Sequence, residues 1–273
     1  AGFDLMGTEN VKYASLTSYV SHPLINITIM LLIIIGGIGF LTWEDILKNK
    51  HRFKSYRMQT KVILTTSLIL ILFPAVFFFF RDFADMPMRE RVFSSLFQAV
   101  TPRTAGFNTA DLTMMTEAGL GIVIALMLVG GSPGSTAGGM KTVTIAVLIC
   151  SAFATIRNKN RATLFGRRVS EKSIKKAVAV VVMFLAICAT STILLMATSN
   201  ASALDAVYET VSATATVGLS RNLTATLNTF GKLIIIVTMY FGRVGPISLA
   251  VALGSKNESQ NVISEPTEDI SIG

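Results

Sequence analysis

Long apolar stretches separated by short polar segments dominate this chain. About 20 residues of α-helix are needed to cross the hydrocarbon core of a bilayer. Five apolar runs approach or exceed that length, and they cover residues 22–42, 62–80, 117–155, 177–198 and 230–253. The third run is longer than one straight span and is interrupted by glycines. The pattern predicts an all-α integral membrane protein.

Two shorter segments, 88–100 and 204–213, cannot cross a bilayer, and each is followed by a turn and then by a long apolar run. The turns read Thr104-Ala105-Gly106-Phe107 and Thr216-Val217-Gly218-Leu219. Non-helical backbone at membrane depth is tolerated only where protein or a wet cavity surrounds it. Glycine can orient its carbonyl as other residues cannot, and rings of carbonyls replace the hydration shell of cations in filters. We therefore expect both turns to face a cation.

The dipole of the preceding half-helix agrees with that expectation. A helix C-terminus carries roughly half a negative charge, which favours a cation placed just beyond it. Residues 88–100 end in front of the Gly106 turn. The sign suits potassium or sodium and not an anion.

The two turns belong to an internal repeat. The spacing from Gly106 to Gly218 equals the spacing from Gly119 to Gly231, and we call it the repeat spacing. The chain opens on Ala1-Gly2-Phe3-Asp4, which matches the order Ala105-Gly106-Phe107-Asn108. Three turns of one design predict a ring, and we expect a fourth turn in sequence that precedes this chain.

Ten residues that include five glycines and one proline, 130–139, interrupt the third run. Glycine costs about 1 kcal/mol and proline about 3 kcal/mol in a helix interior, so the helix must break there. Roughly 15 preceding helical residues would place the break about 22 Å into the membrane. We interpret it as a gate below the filter, and a packing kink beside another helix is the alternative. The gate residues would be Gly131, Ser132, Pro133, Gly134, Ser135, Thr136, Ala137, Gly138 and Gly139.

Arg243 lies near the middle of the last run. A cation at the centre of a membrane helix costs from about 3 to over 10 kcal/mol, so it should face protein or water. The repeat spacing aligns Arg243 with Gly131. Our hypothesis is that the guanidinium binds carbonyls of the 131–139 loop as a positive barrier, and the alternative is that it only cross-links helices.

The distribution of the net charge of +8 predicts the orientation of the chain. The connections 48–61 and 157–176 hold 14 of the 24 Lys and Arg residues, and they fall on one side if each run crosses once. Short cationic loops stay in the cytoplasm. Neither connection shows the aromatic and base-reading pattern of nucleic-acid binding. Cys150 and Cys188 lie in apolar runs, which argues against a disulfide or a metal site.

These turns, the glycine-rich stretch up to Thr142 and the sequence Gly242-Arg243-Val244-Gly245-Pro246 resemble the Trk/Ktr/HKT superfamily of potassium transporters, most closely its bacterial Ktr type. The resemblance implies four helix–pore loop–helix repeats around a central cation pore, with one filter glycine in each repeat. K⁺ would bind only filter carbonyls, and the 131–140 loop would be the gate, with Arg243 beside it. The filter residues would be Ala1, Gly2, Phe3, Thr104, Ala105, Gly106, Phe107, Thr216, Val217, Gly218 and Leu219.

The resemblance also implies a domain organisation. Residues 1–47 would end the second repeat, 48–61 would be a cytoplasmic linker, 62–156 the third repeat, 157–176 a second linker, 177–254 the fourth repeat and 255–273 a cytoplasmic tail.

The partners implied by the resemblance are a second copy of the chain, membrane lipid and a cytoplasmic ring of RCK-type nucleotide-binding regulatory subunits. ATP and ADP would act on that ring, and no cofactor is expected on this chain. The protein would be a multi-pass potassium uptake subunit of the plasma (inner) membrane with a cytoplasmic C-terminus. Its dependence on Na⁺ is left open.

Two other classes of protein were weighed. A secondary transporter could hold a small solute between broken helices near the midplane, but such proteins usually carry inverted repeats, whereas these repeats run in one direction. A membrane-bound enzyme would need a catalytic constellation. No His/Asp/Ser or paired-carboxylate arrangement stands out in the sequence, so we do not expect an enzyme.

Overall fold

The computed structural model describes residues 2–3, 15–50, 52–159 and 161–245, and this part of the chain is mainly helical. The helices are α1 (Pro23–Ile38), α2 (Phe40–Asn49), α3 (Met58–Phe80), α4 (Met88–Val100), α5 (Glu117–Leu128), α6 (Thr142–Ile156), α7 (Glu171–Thr198), α8 (Ala203–Thr214), α9 (Leu223–Thr226) and α10 (Thr229–Val244). A small antiparallel hairpin joins β1 (Thr163–Leu164) to β2 (Arg167–Arg168) between α6 and α7.

The helices α3 and α7 are long and apolar enough to cross a membrane. Their outer faces are apolar as well: Phe73 on α3 is 69% exposed and Ile193 on α7 is 66% exposed. Soluble proteins rarely expose large contiguous apolar patches. An apolar exterior of this kind is suited to lipid, and the predicted spans 62–80 and 177–198 lie within these two helices.

The first apolar run does not form one helix, and the prediction of a single span over 22–42 was wrong at its inner end. The chain bends by 93° between α1 and α2. Gly39 forms the corner with a φ of 93°, which is a left-handed conformation that glycine adopts without steric cost. A Cβ at this position would lie only 2.5 Å from the carbonyl oxygen of Pro133. Tertiary packing against the 130–139 segment therefore accompanies the bend.

A buried acid ties α2 to the start of α3. Asp45 accepts hydrogen bonds from Asn49 Nδ2 at 2.8 Å and from the backbone N–H of Arg57 at 2.9 Å. Burial alone would raise the pKa of this carboxyl, but the hydrogen bonds from Thr60, Arg57 and Asn49 outweigh burial and lower the pKa. The predicted linker 48–61 is thus shorter in the structure, because α2 ends at Asn49 and α3 begins at Met58.

The glycine-rich stretch of the third run breaks the helix between α5 and α6. The helix before the break has 12 residues, slightly fewer than expected. The second predicted linker, 157–176, contains the β-hairpin and the first turn of α7, whose N-cap is Ser170. The last helix, α10, ends at Val244, and the rest of the predicted run 230–253 and the tail 255–273 extend beyond the described residues.

The internal repeat is visible in the helix starts. The helices α5 and α10 begin one repeat spacing apart, at Glu117 and Thr229, and each is capped by the residue before it. The side chain of Thr116 accepts from the N–H of Gly119 at 3.1 Å, and that of Asn228 accepts from the N–H of Gly231 at 2.8 Å. Such caps satisfy N–H groups that the first turn of a helix leaves unpaired. The helix starts of the two repeats therefore have matching local chemistry.

The short helices α4 and α8 lie at the centre of the molecule. The helix α8 packs against α5, α7 and α10, and α4 packs against α1 and α3. Every residue of α8 from Tyr208 to Thr214 is buried. The longer helices thus surround two half-helices whose C-terminal ends lead into the glycine turns.

We expect Gly119→Ala to destabilise the protein by about 1 kcal/mol, the typical worth of a helix cap. A Cβ on Gly119 would lie 2.4 Å from Oδ1 of Asp82. That oxygen accepts from the backbone N–H and the hydroxyl of Thr116 at 2.8 and 2.7 Å, so the carboxylate would have to leave the cap. Thermal unfolding of the complete protein in detergent would measure the loss.

Gly121→Ala is the matched control, because it lies in the same helix and a Cβ there meets nothing within 4 Å. Alanine is the better helix former by up to about 1 kcal/mol, so this variant should unfold at the same or a higher temperature. Equal unfolding temperatures for the two variants would contradict the role given to the Asp82 cap.

Candidate functional site

Three glycine turns meet at one place in the structure. Gly2, Gly106 and Gly218 have φ values of 97°, 91° and 94°. A Cβ on Gly106 would lie 2.7 Å from the carbonyl oxygen of Gly2 and 3.0 Å from that of Val217. A Cβ on Gly2 would lie 3.6 Å from the oxygen of Ala105. Backbone oxygens from all three turns therefore lie close to Gly2 and Gly106, and at Gly106 a side chain has no room.

The turn after α4 is held by its own first residue. The N–H of Thr101 donates to the carbonyl of Phe97 at 2.8 Å, and its hydroxyl donates to the carbonyl of Phe107. The N–H of Ala105 donates to the carbonyl of Thr101 at 3.1 Å. Thr104, two residues before the glycine, has a left-handed φ of 64°. The N–H groups of this turn thus bond back toward the half-helix.

A buried arginine ties the same turn to α3. Arg103 is 3% exposed, and its Nη2 donates to the hydroxyl of Ser67 at 2.7 Å. The backbone N–H of Arg103 donates to the carbonyl of Val100 at 3.1 Å. The turn is therefore fixed both to its own half-helix and to the long helix behind it.

The turn after α8 repeats this arrangement with different donors. The N–H of Val217 donates to the carbonyl of Ser212 at 2.8 Å, and the N–H of Gly218 donates to the hydroxyl of Ser212 at 3.1 Å. Thr216 has a left-handed φ of 55°, as Thr104 has in the other turn. Because the N–H groups bond to the half-helix, the carbonyl oxygens remain for the centre.

A cavity of about 30 Å³ touches the turns. A cavity needs roughly 10 to 15 Å³ to hold one water molecule, so this one has room for a water or a bare cation. Its lining residues come from all three turns and from the segment after the last one: Phe3, Gly106, Asn108, Gly218, Ser220, Asn222, Thr224 and Ala225.

The structure brings the predicted filter residues of the three turns together. Ala1 is outside the described residues. Gly2 and Phe3, the segment 104–107 and the segment 216–219 all belong to the turns described above. Their role in selecting an ion stays a prediction.

The predicted gate residues form a strap between α5 and α6, and the strap is pinched at its ends. The N–H of Gly130 donates to the carbonyl of Met140 at 2.8 Å, and the N–H of Thr142 donates to the carbonyl of Gly131 at 3.1 Å. These bonds hold the ends of the strap, 130–141, against each other. The residues between the two ends of the strap pack against other elements of the protein.

The strap contacts the last glycine turn directly. A Cβ on Gly138 would lie 1.7 Å from Oγ1 of Thr216, and a Cβ on Gly139 would lie 3.2 Å from the carbonyl oxygen of Ala215. A larger residue at Gly138 would force the two backbones apart. The strap is therefore packed against the residues that lead into Gly218.

The strap also completes the broken end of α1. The last carbonyls of a helix have no partner within it. Here the carbonyl of Gly37 accepts from the N–H of Ser132 at 2.9 Å, and that of Gly36 accepts from the hydroxyl of Thr136 at 3.3 Å. The Gly36-Gly37-Ile38-Gly39 cluster is the sequence signal for this docking site, although the cluster alone predicts only a close helix contact.

Two basic side chains bind consecutive carbonyls of the strap. Nη1 of Arg243 donates to the carbonyl of Thr136 at 3.1 Å, so the guanidinium lies beside the strap as the hypothesis expected. Nζ of Lys141 donates to the carbonyl of Ala137 at 2.6 Å. Lys141 was not among the predicted gate residues, because nothing in the sequence shows that this side chain folds back onto its own loop.

The described residues offer no alternative metal centre. Among them, no group of three or more His, Cys, Asp or Glu side chains could hold a metal ion, and the thiols of Cys150 and Cys188 are free. Backbone carbonyl oxygens such as those of the turns can replace the hydration shell of a cation.

Comparison with known proteins identifies the family. Residues 1–265 match the family model TrkH, described as a cation transport protein. The chain is 39% identical over 254 residues to the Ktr system potassium uptake protein B of Bacillus subtilis, with 91% of this chain and 57% of that protein covered. It is 34% identical over 283 residues to the potassium/sodium uptake protein NtpJ of Enterococcus hirae, with 100% of this chain and 61% of that protein covered.

A solved structure supports the fold. The potassium transporter TrkH from Vibrio parahaemolyticus superimposes with a TM-score of 0.76 at 18% sequence identity, over 89% of this chain and 55% of that one. The chain thus spans 57% and 61% of the length of the two relatives. By its sequence and its fold, this chain belongs to the TrkH family of cation transport proteins.

Proposed function

We propose that this chain forms most of the pore of a potassium uptake system and supplies three of the four turns of its selectivity filter. The observation that carries the proposal is the meeting of Gly2, Gly106 and Gly218 in left-handed conformations, with carbonyl oxygens of three turns around them. Carbonyl oxygens replace the hydration shell of a cation in filters of this kind. The relatives are named for potassium uptake or potassium and sodium uptake, which agrees with this cargo.

The electrostatics of the site support a cation. The half-helices α4 and α8 end directly before the second and third of these turns, and their C-terminal dipoles favour positive charge. In the turn after α8, the N–H groups of Thr216, Val217 and Gly218 bond to the half-helix, which leaves the carbonyl oxygens of that turn for the centre. The fourth turn of the ring would come from sequence outside this chain.

The strap 130–141 acts as the gate in this proposal. It packs beneath Thr216 and is held by Arg243 and Lys141, which place two positive charges beside the ion path. Cations close to the path raise the energy of a passing cation unless they move away. Opening therefore requires that the strap leaves these contacts, and K⁺ then passes by diffusion.

The name of one relative supports a proposal for the assembly. The name of the Bacillus subtilis relative describes it as part of a Ktr system. We infer a homodimer in the plasma membrane with a cytoplasmic C-terminus, whose cytoplasmic face binds a ring of RCK-type subunits. ATP and ADP act on that ring, and the basic connections after α2 and α6 contact it. A dependence on Na⁺ would agree with the potassium/sodium name of the Enterococcus hirae relative.

Gly106→Ser and Gly218→Ser should each weaken potassium uptake and reduce the preference for K⁺ over Na⁺ by roughly tenfold, equivalent to about 1.4 kcal/mol. A side chain at either position is strained by the left-handed backbone, and at Gly106 it would also collide with the carbonyl of Gly2. Rubidium uptake by the complete transporter with its regulatory partner, in bacteria without their own potassium uptake systems, measures both effects.

Gly121→Ser serves as the control for these two variants, because a Cβ at Gly121 meets nothing within 4 Å. It should transport like the wild type. Normal and selective uptake by both filter variants, or no uptake by a well-expressed wild type, would refute the proposed filter.

Arg243→Gln should increase potassium flux when the regulatory partner is absent, several-fold or about 1 kcal/mol in barrier height. The substitution removes the positive charge that binds the carbonyl of Thr136 and loosens the strap. Potassium efflux from proteoliposomes that contain the complete membrane subunit alone measures the leak.

Lys232→Gln is the matched control, since Lys232 is an exposed cation on the same helix α10. Its leak should equal that of the wild type. A leak that is unchanged in Arg243→Gln would show that the arginine only cross-links helices.

A further inference from the structure

The half-helix α8 carries a buried acid that binds the segment after the last glycine turn. Glu209 is completely buried, and its two carboxylate oxygens accept from the hydroxyl of Ser220 at 2.8 Å and from the hydroxyl of Thr224. One helical turn earlier, Asp205 forms an ion pair with Arg221. Two acids of one half-helix therefore hold three residues of the segment 220–224.

This arrangement is not a general feature of the repeat. The residues one repeat spacing before Asp205 and Glu209 are Phe93 and Phe97. Phe97 is fully buried in an apolar cluster with Met30 and Val100, and Phe93 packs against that cluster. Burying a carboxylate is costly unless it is hydrogen-bonded. The polar contacts of Glu209 are therefore a feature of the last turn that the preceding turn lacks.

The two hydroxyls that bind Glu209 also line the cavity at the turns. Ser220 and Thr224 both belong to its wall, together with Gly106 and Gly218. A hydroxyl has one proton to donate and two lone pairs that accept. Because both hydroxyls donate to Glu209, their lone pairs are what remains for the cavity.

The turn after α4 also presents an acceptor to the cavity. Asn108 lines the cavity and is the counterpart of Ser220 in the preceding repeat. One N–H of its amide donates to the carbonyl of Ala110 at 2.7 Å, and its amide oxygen is an acceptor. The hydroxyl donors of Ser220 and Thr224 thus bond inside the protein, and the oxygens of these two side chains and of Asn108 are acceptors on the wall of the cavity.

We propose that Glu209 is a positioning residue for cation binding at the outer end of the filter, because it fixes the proton directions of Ser220 and Thr224. The acceptor-lined cavity binds the ion before it reaches the carbonyls of Gly106 and Gly218. This inference rests on the proposed function and names a residue that acts through its neighbours and does not touch the ion.

The isosteric change Glu209→Gln separates this role from simple support. A carboxylate accepts from both hydroxyls, whereas an amide accepts from one and donates to the other. One hydroxyl must then accept from the amide, and its proton turns toward the cavity, where it repels a cation. The apparent KM for Rb⁺ should rise about three- to tenfold with an unchanged maximal rate, which is the signature of weaker binding alone.

The experiment uses the complete transporter with its regulatory partner in bacteria that lack other potassium uptake. Initial rates of Rb⁺ uptake give KM and the maximal rate, and immunoblots of membranes give the amount of protein. Ser220→Ala and Thr224→Val, each of which removes one hydroxyl, should also raise KM. Glu117→Gln is the control, because this exposed acid lies in the first turn of α5 and should leave KM unchanged.

A fall in maximal rate with unchanged KM in Glu209→Gln would show that the residue only supports the fold, and it would overturn the proposal. If this variant does not reach the membrane, the two hydroxyl variants decide, and unchanged KM in both overturns the proposal. Selective uptake that depends on Gly106 and Gly218, together with an unchanged KM in these variants, would refute the inference alone. Absence of uptake by the wild type would refute the proposed function as well.

Discussion

The close approach of backbones at the end of α8 is the constraint on which the rest of the structure depends. Gly138 and Gly242 reach this point from two sides. A Cβ on Gly138 would lie 1.7 Å from Oγ1 of Thr216, and a Cβ on Gly242 would lie 2.0 Å from the carbonyl oxygen of Thr214. A single methyl group would separate the strap, the last turn and α10. Because packed interfaces switch between discrete arrangements and do not deform continuously, these elements form one mechanical unit. A displacement of the strap must change its contact with the turn above it.

The second constraint is the pairing of backbone polar groups where helices break inside the membrane. Lipid offers no hydrogen bonds, so every interrupted helix must find partners within the protein. The end of α1 accepts from Trp43 and Ser132, and the end of α8 accepts from the N–H groups of its own turn. The first solution binds α1 to a separate element of the chain, and the second is local. A strap that leaves α1 must therefore leave carbonyls unpaired unless water enters.

The sequence predicts the features that local chemistry decides. Apolar length predicts α3 and α7, the cluster of five glycines and one proline predicts the strap, and the repeat spacing predicts the matching starts of α5 and α10. The bend at Gly39 was missed because apolar residues continue past it, and the corner is set by Pro133, which is distant in the sequence. The contacts of Lys141 were missed for a different reason, since a single sequence does not show where a long side chain points. The roles of the turns as filter and of the strap as gate stay predictions.

The turns reach similar geometry from unequal supports. The Gly106 turn is held to α3 by its own Arg103, which donates to Ser67, and to the segment before α1, where the N–H of Asn108 donates to Ser15 Oγ at 2.9 Å. The Gly218 turn is held by its own half-helix through Ser212 and Glu209. A ring assembled from a single chain can brace each turn differently, whereas a ring of identical subunits must repeat one brace. The glycines fix where the carbonyls can point, and the braces fix how firmly they stay there. In the proposed filter, selectivity would therefore depend on residues that the repeat motif does not contain.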